Sequence, residues 1–333
     1  MSAPRYDVLG IGNAIVDVIA RADDDFLIAH GMNKGGMALI DETRAEKIYQ
    51  AMGSAVESSG GSAANTIVGV ASFGCLAGFI GKVRNDELGH AFANDIRSAR
   101  VSFTTRPASV GPSTARCYIM VTPDGERTMN TFLGAAQDLK PEDIDEATVA
   151  GASVVYLEGY LWDPPQAKEA FLKAAAIAHK AGRKVALTLS DAFCVDRYRA
   201  EFLNLIRKGT VDLLFANERE LQSLYETADF DTAIKALRGD AKLAVITRSE
   251  KGCVVVARNN TEAVQAMPID RVVDVTGAGD LFAAGFMVGM TRGKDHRTCA
   301  RLGALAAAEV IQHIGARPAV SLKALSAENG LAV

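Results

Sequence analysis

Several features that would announce a particular function are missing from this chain, and each absence narrows what it can do. No tract of lysine and arginine marks a nucleic-acid groove, and no lysine-rich amphipathic stretch marks a membrane surface. Basic and acidic residues number 36 and 40, are interspersed, and leave a formal net charge of −4, which favours a small-molecule partner over a polyanion or a lipid surface. No Cys-x-x-Cys pair or metal-ligand cluster occurs. Cys75, Cys117, Cys194, Cys253 and Cys299 are odd in number and scattered, as expected of reduced thiols in a cytoplasmic protein. The N-terminal Met-Ser-Ala-Pro-Arg-Tyr-Asp lacks the cationic-then-apolar order of a secretory signal. The apolar run 302–314 carries Glu309, Gln312 and His313; it is too short and polar to span a bilayer and reads as a buried helix. Repeats, low-complexity tracts and proline-rich linkers are absent. Two nucleotide signatures also fail. Gly10-Ile-Gly12-Asn13-Ala-Ile15 has isoleucine where a dinucleotide fingerprint needs its third glycine, which disfavours a nicotinamide oxidoreductase, and no Walker-type Gly-x-x-x-x-Gly-Lys is present.

What is there suits one large α/β layer structure with an appendage: 333 residues, 49% of them apolar, can bury a sizeable core. Apolar runs at 8–12 and 77–80 predict buried strands, and 65–73, rich in small residues, predicts a helix. Leu88, Phe92 and Ile96 fall at helical spacing within 86–99. Residues 18–45, charged and holding Gly31, Gly35 and Gly36, predict short strands and turns outside the main core. Pro123-Asp-Gly125 turns a hairpin between strands 114–121 and 126–132. Beyond it, strands at 154–157, 184–189, 213–216, 243–247 and 253–257 alternate with helices at 165–181, 218–225 and 231–237. Helices 278–290 and 298–314 follow. This succession predicts a mostly parallel central sheet covered by helices on both faces. The strand-rich stretches of about 14–60 and 111–137 interrupt it and predict a small β lid, closing where ligands of open α/β sheets bind.

The chemistry concentrates in Asp274-Val-Thr276-Gly277-Ala278-Gly279-Asp280, just ahead of a helix of small and apolar residues. Backbone N–H groups of Ala278, Gly279 and Asp280 at a helix N-terminus suit a phosphoryl group gaining negative charge. Gly277 and Gly279 let the backbone approach closely. Asp280, in the first turn, can accept a proton from an attacking hydroxyl. An isolated Gly-Ala-Gly-Asp is a capped turn and no more; the longer string in this context points to phosphoryl transfer. Asn217-Glu-Arg-Glu220, after a strand, reads as an N-cap with Glu220 at N3, a capping box that can also face an active site.

These segments together resemble the ribokinase-like (PfkB) carbohydrate kinase family. Residues 274–285 are similar to its second signature pattern, Gly60-Gly61-Ser-Ala-Ala-Asn65 to its first glycine pattern, and Asn217-x-x-Glu220 to its Asn-x-x-Glu motif. They occur in the family's order across nearly the whole chain. The resemblance implies one ribokinase-like α/β domain over 1–333 with the lid inserted, and an ATP-dependent phosphotransferase with an alcohol acceptor. It implies Asp280 as base, Gly277, Ala278 and Gly279 as anion hole, and Mg2+ organised by Glu220 and Asn217 through water. A monovalent cation, K+, is expected near Asp274, Thr276 and Gly315. The ATP site is expected at Asn217, the turn from Thr247 to Gly252, Gly277, Gly279 and Ala304. Without the family frame, Thr247–Gly252 is an ordinary strand–turn–strand connection.

On the acceptor side, the resemblance points Asn13, Asp17, Gly61 and Asn65 at a sugar. A carboxylate can accept from two vicinal hydroxyls, as a ribose diol presents. The closest likeness is to bacterial adenosine kinases and their sugar-kinase relatives, through Gly12-Asn-Ala-Ile-Val-Asp-Val18, Gly60–Asn65 and the segment Asp124–Gly134. That implies transfer to the 5′-hydroxyl of adenosine, giving AMP and ADP. A purine slot is expected among Ile15, Met37, Cys117, Phe132, Leu133, Tyr160, Leu161 and Trp162, most of which suit core packing equally well. Arg127 either reaches the transferred phosphate or is a surface charge at a hairpin. His296 and His313 show no partner in the sequence. Ribose, fructose or a related furanose remains an alternative acceptor, and a non-catalytic binder of the same fold a distant one. Monomer and homodimer both remain open.

Overall fold

Among the described residues fourteen short strands, most of them apolar runs, sort into two sheets. The computed structural model describes residues 4–333; Met1–Ala3, part of the N-terminal segment read above, lie outside them. In chain order the strands are β1 (Tyr6–Ile11), β2 (Ile15–Arg21), β3 (Met37–Leu39), β4 (Ala55–Gly60), β5 (Ala77–Ile80), β6 (Val101–Phe103) and β7 (Ala115–Val121). They continue as β8 (Arg127–Phe132), β9 (Ala152–Glu158), β10 (Lys184–Thr188), β11 (Leu213–Asn217), β12 (Leu243–Thr247), β13 (Cys253–Ala257) and β14 (Asn260–Val264).

The large sheet runs β14-β13-β12-β11-β10-β9-β1-β5-β6. It is parallel from β12 to β6, and β13 and β14 return antiparallel at one edge. Its parallel strands are largely apolar on both faces, as a sheet sandwiched by helices requires. Val154 and Tyr156 of β9 enter one apolar cluster with helices Ser62–Ser72, Ala278–Thr291 and His296–Val310. Val155 and Leu157 enter the other, with helices Pro165–Lys180 and Ala192–Arg207. The small sheet runs β3-β8-β7-β2-β4. The β7–β8 hairpin is antiparallel as expected, whereas β2 pairs parallel with β7.

Between residues 18 and 45 the expectation of strands and turns needs correction. Helix Asp24–Ala29 and the start of helix Glu42–Ala51 lie there, capped by Asp23 and Asp41. The second buries only Ala45 and Ile48, so the apolar period is too sparse to read. Helix Ala192–Arg207 also went unforeseen; non-helical torsions at Tyr198 break its period. The helix expected to reach residue 314 ends at Val310, where the Ile311 carbonyl accepts the N–H groups of Val273 and Asp274. All five cysteines are buried and unpaired. Among the described residues no helix is long and apolar enough to cross a membrane.

Glycine sets the closest packing. A Cβ on Gly285 would lie 2.4 Å from the Leu302 carbonyl oxygen, and one on Gly303 would lie 2.7 Å from that of Phe282. Helices Ala278–Thr291 and His296–Val310 are therefore in backbone contact directly behind the segment 274–280. Gly285→Ala is expected to lower stability by about 2 kcal/mol, since only backbone can yield there. A thermal melt unchanged from that of the natural chain would contradict this packing account.

Candidate active site

Asp274 gathers the backbone that follows it. Its Oδ1 accepts the Thr276 N–H (3.0 Å) and hydroxyl (2.6 Å), and its Oδ2 accepts the Gly315 N–H (2.9 Å) and the Arg127 guanidinium. Burial acts to raise this carboxyl, but the bonds from Thr276 and Gly315 and the charge of Arg127 outweigh it and hold the group below the usual carboxylate range. The chain then turns through Gly277 at φ 80°, where a Cβ would strike Ala316. The Ala278 N–H closes this turn on the Val275 carbonyl (3.2 Å), so it is not the open donor expected of it. Among the described residues the N–H groups of Gly277, Gly279 and Asp280 have no partner. No atom lies within 4 Å of where a Gly279 Cβ would stand, so the space above these donors is free.

Asp280 follows in the first turn of the helix. The Ser62 hydroxyl donates to its Oδ1 (2.6 Å) and the Asn65 amide approaches its Oδ2 (3.4 Å). Both donors come from the N-terminal turn of helix Ser62–Ser72, brought close by Gly61 at φ 97°. Burial dominates these bonds and pushes the Asp280 carboxyl up to about 6, with a further push from the charge of Asp17.

Asp280 and the turn line a cavity of about 510 Å³. The carboxyl ends of the parallel strands, at Thr188, Asn217 and Thr247, form one wall. The small sheet forms the opposite one, with Ile15, Asp17, Met37, Cys117, Ile119 and Met129. Strand register explains this set: Asp17 stands beside Cys117, and Met129 beside both Ile119 and Met37, on one pleated face. Of these six lining residues Asp17 is the charged one. A Cβ on Gly60 would lie 2.3 Å from the Asp17 carboxylate, so glycine is what gives that side chain its place. Burial pushes Asp17 up to about 6 against the lowering charges of Arg317 and Arg127.

Asn217 and Glu220 form the capping box foreseen, each side chain accepting from or donating to the other's backbone or amide. Glu220 is nonetheless part of the cavity wall, and burial pushes its carboxyl up to about 7. A second cavity of about 590 Å³, sharing Asn217 and Thr247 with the first, is lined by Arg219, Arg248, Lys251 and Ser249. Arg248 is fixed there by Glu218 (3.0 Å) and by the ring of Phe230 (3.7 Å to its centroid).

The structure thus brings Asp17, Gly61, Asn65, Asn217, Glu220, Thr247, Thr276, Gly277, Ala278, Gly279 and Asp280 to one cavity, with Ile15, Met37, Cys117 and Tyr160. Other expected residues stand apart from both cavities. Asn13 turns inward, its amide donating to Glu158 Oε1 (2.6 Å). Phe132 is buried beneath Arg116, and Leu133 beside it caps the short helix Gly134–Asp138. Leu161 is core, and Trp162 packs on Phe171 and Phe202 while donating to Glu201. Gly252, at φ 80°, makes the tight β12–β13 connection, its pro-Cβ position occupied by the Val264 carbonyl. Ala304 is buried in its helix. Arg127 is no surface charge: its side chain is 10% exposed and binds Asp274 and Thr276. His313 has a partner after all, Glu309 (3.2 Å), one helical turn before it. Three residues went unread: Ser62 on Asp280, Glu158 under Asn13, and Arg317 near Asp17. Ser62 was legible as part of Gly60–Asn65; Glu158 and Arg317 had only the signal of a charge next to apolar sequence.

A buried carboxyl raised to about 6, free N–H donors and a strand-end cavity are consistent with an ATP-dependent phosphotransferase with an alcohol acceptor. The chain belongs to the pfkB family of carbohydrate kinases, whose model matches residues 36–323. It is 55% identical to the adenosine kinase of Sinorhizobium meliloti, with a TM-score of 0.90 over 98% of this chain and 99% of that one. A probable sugar kinase protein from Rhizobium etli CFN 42 is 52% identical, with a TM-score of 0.92 over 98% and 99%. The adenosine kinase of Saccharomyces cerevisiae is 27% identical over 95% of this chain and 96% of its own length.

Four buried carboxyls, Asp17 and Asp280 at about 6 and Glu158 and Glu220 at about 7, keep protons in the folded chain that the unfolded chain releases near pH 4 to 4.5. Where the folded state binds more protons, stability falls as pH rises. For Glu158 alone the loss is on the order of 3 kcal/mol between pH 4.5 and 8. The ligand-free protein is expected to melt highest near pH 5 and progressively lower toward pH 8, with a shallower slope in Glu158→Gln. A melting temperature that is flat or rising from pH 5.5 to 8 would overturn this.

Proposed function

We propose that this protein transfers the γ-phosphoryl group of ATP to the 5′-hydroxyl of adenosine. The observation that carries the reading is a single cavity holding a poised carboxylate beside three open N–H donors, faced by an apolar, sulfur-containing sheet with one carboxylate in it. The Asp17 carboxylate accepts hydrogen bonds from the ribose diol. Gly61 and Asn65 border the same sugar, which places the 5′-hydroxyl toward Asp280. The base then lies against Ile15, Met37, Cys117, Ile119 and Met129; flexible thioethers suit a flat aromatic ring. The similar proteins from S. meliloti, an adenosine kinase, and R. etli, a probable sugar kinase, support this reading or its sugar-kinase relative.

Asp280 orients the acceptor hydroxyl and takes its proton as the oxygen attacks phosphorus. The Gly277, Gly279 and Asp280 N–H groups bind the transferring oxygens, aided by the helix N-terminus. Arg127 adds positive charge at the edge of the same turn. Triphosphate approaches through the second cavity, where Arg219, Arg248 and Lys251 supply the charge. Asn217 and Thr247, shared by both cavities, mark where donor and acceptor meet. The small sheet serves as the lid, excluding water from the transfer.

Glu220 suits a magnesium-bound water: it is 4% exposed, its side chain accepts from the N–H and amide of Asn217, and it faces the cavity. Magnesium held there would offset charge on the β- and γ-phosphates. The carboxylate of Asp274 does not suit K+, because its two oxygens already accept four donors, one of them a guanidinium. A bare furanose is the second reading. Asp17, Gly61 and Asn65 would serve its hydroxyls just as well, leaving the apolar face without a ligand.

Asp280→Asn is expected to bind adenosine with an affinity close to that of the natural chain while kcat falls about a hundredfold or more, the usual worth of a general base. In the natural chain kcat should drop as pH falls through about 6, because protonated Asp280 cannot accept the hydroxyl proton. Stopped ADP release with 5′-AMP quantified as product measures both. A near-normal kcat in Asp280→Asn would sink the assignment.

A further inference from the structure

Arg317 lies in the loop that follows helix His296–Val310, with no part in the steps above. That loop touches the anion hole at one end: Gly315 donates to Asp274, and Ala316 lies against Gly277. Two residues on, Arg317 reaches the other side of the cavity. Its Nη1 donates to Asp95 Oδ2 (2.8 Å) on helix Glu87–Ser98, and its Nη2 to the Ser59 hydroxyl on β4. Asp95 Oδ2 also accepts the Ser59 N–H (2.8 Å) and hydroxyl (2.6 Å), closing a three-way knot. Its Nε is buried without a partner.

Ser59 is not an arbitrary anchor. Its chain neighbours are Ser58, which pairs with Asp17 across the β2–β4 ladder, and Gly60, whose backbone sits under the Asp17 carboxylate. Fixing Ser59 therefore fixes the backbone on which Asp17 rests. We propose that Arg317 is a positioning residue for the acceptor: by tying the anion-hole loop to Ser59 and Asp95, it holds Asp17 in register with the turn at 277–280. The inference rests on the reading of Asp17 as the residue that binds the acceptor diol.

The groups around Asp17 bear this out. Arg317 is the largest of the charges that lower it, Arg127 of β8 the second. Asp280, from helix Ala278–Thr291, and Cys117, from β7, are coupled to it in turn. Asp95, bonded to Arg317, partly offsets the guanidinium. Loss of Arg317 thus leaves Arg127 as the remaining cation acting on Asp17, and Arg127 is already bound to Asp274.

The test compares Arg317→Met, Arg317→Lys, Asp95→Asn and Asp17→Asn, using Mg·ATP with adenosine across pH 5 to 8.5. Arg317→Met is expected to raise the KM of the acceptor about tenfold, as loss of a charged hydrogen-bonded anchor does, with kcat within about threefold and the KM for ATP unchanged. The acid limb of kcat/KM for adenosine should move to higher pH, because Asp17 protonates more readily, while the limb of kcat, which reports Asp280, stays in place. Arg317→Lys should restore the position of the limb and only part of the KM. Asp95→Asn, outside the cavity, should raise the acceptor KM in the same direction. An unchanged acceptor KM in Arg317→Met overturns the proposal, as does a parallel loss in kcat and both KM values. So does an identical pH limb in the Met and Lys variants. If Asp17→Asn keeps the natural acceptor KM, the reading of Asp17 and this proposal fall together. If the natural chain uses ribose rather than adenosine, only the adenosine reading falls, and the same comparison with ribose decides the role of Arg317.

Discussion

The site depends on one buried carboxylate whose oxygens are both occupied in holding the chain around it. Asp274 draws the Thr276 N–H and hydroxyl, the Gly315 N–H and Arg127 onto itself, and so folds the turn that leaves Gly277, Gly279 and Asp280 with open donors. Six residues later Asp280 stands in the opposite condition, with one short bond from Ser62 and a carboxyl pushed up to about 6. One acid in the segment is held charged and the other is kept ready to take a proton. Two like groups set apart in this way fit the proposed function, in which the first is structural and the second takes the proton.

The large sheet makes that division useful. Parallel strands end together, so Glu158, Thr188, Asn217 and Thr247, the last residues of four neighbouring strands, arrive at one edge. The small sheet faces them with a pleated surface whose register selects Asp17 and a group of apolar and sulfur-bearing side chains. The cavity between them concentrates unneutralised acids. The hydroxyls of a bound acceptor, donating to those acids, would relieve that burden, so ligand binding would stabilise the folded chain.

Much of this was legible in the sequence because it is local. The glycine turn at 277–279 and Asp280 are fixed by neighbours in the chain, and Asn217 with Glu220 forms a box within four residues. The strands 243–247 and 253–257 were readable from their apolar runs alone. Distance in sequence is what hid the rest. Arg127 looked like a hairpin charge until β8 was folded across 147 residues onto Asp274. Asn13 was read toward a sugar, yet Glu158, 145 residues away, claims its amide. Phe132 was the right kind of residue on the other face, since alternation along β8 sends Met129 to the cavity and Phe132 beneath Arg116, while Leu133 lies past the strand at the cap of a short helix. Helix Glu42–Ala51, with two buried residues, left too faint a period to separate from turns.

Acceptor choice separates the central claim from its near rival most directly. The values of kcat/KM for adenosine, ribose and fructose, measured on the natural chain with Mg·ATP and with the phosphorylated product identified, test it in one series. A cavity whose apolar face is there to hold a base predicts that adenosine is preferred over ribose by two orders of magnitude or more, with phosphate on the 5′-oxygen. Equal or better use of ribose or fructose would contradict the account and leave the apolar face unexplained.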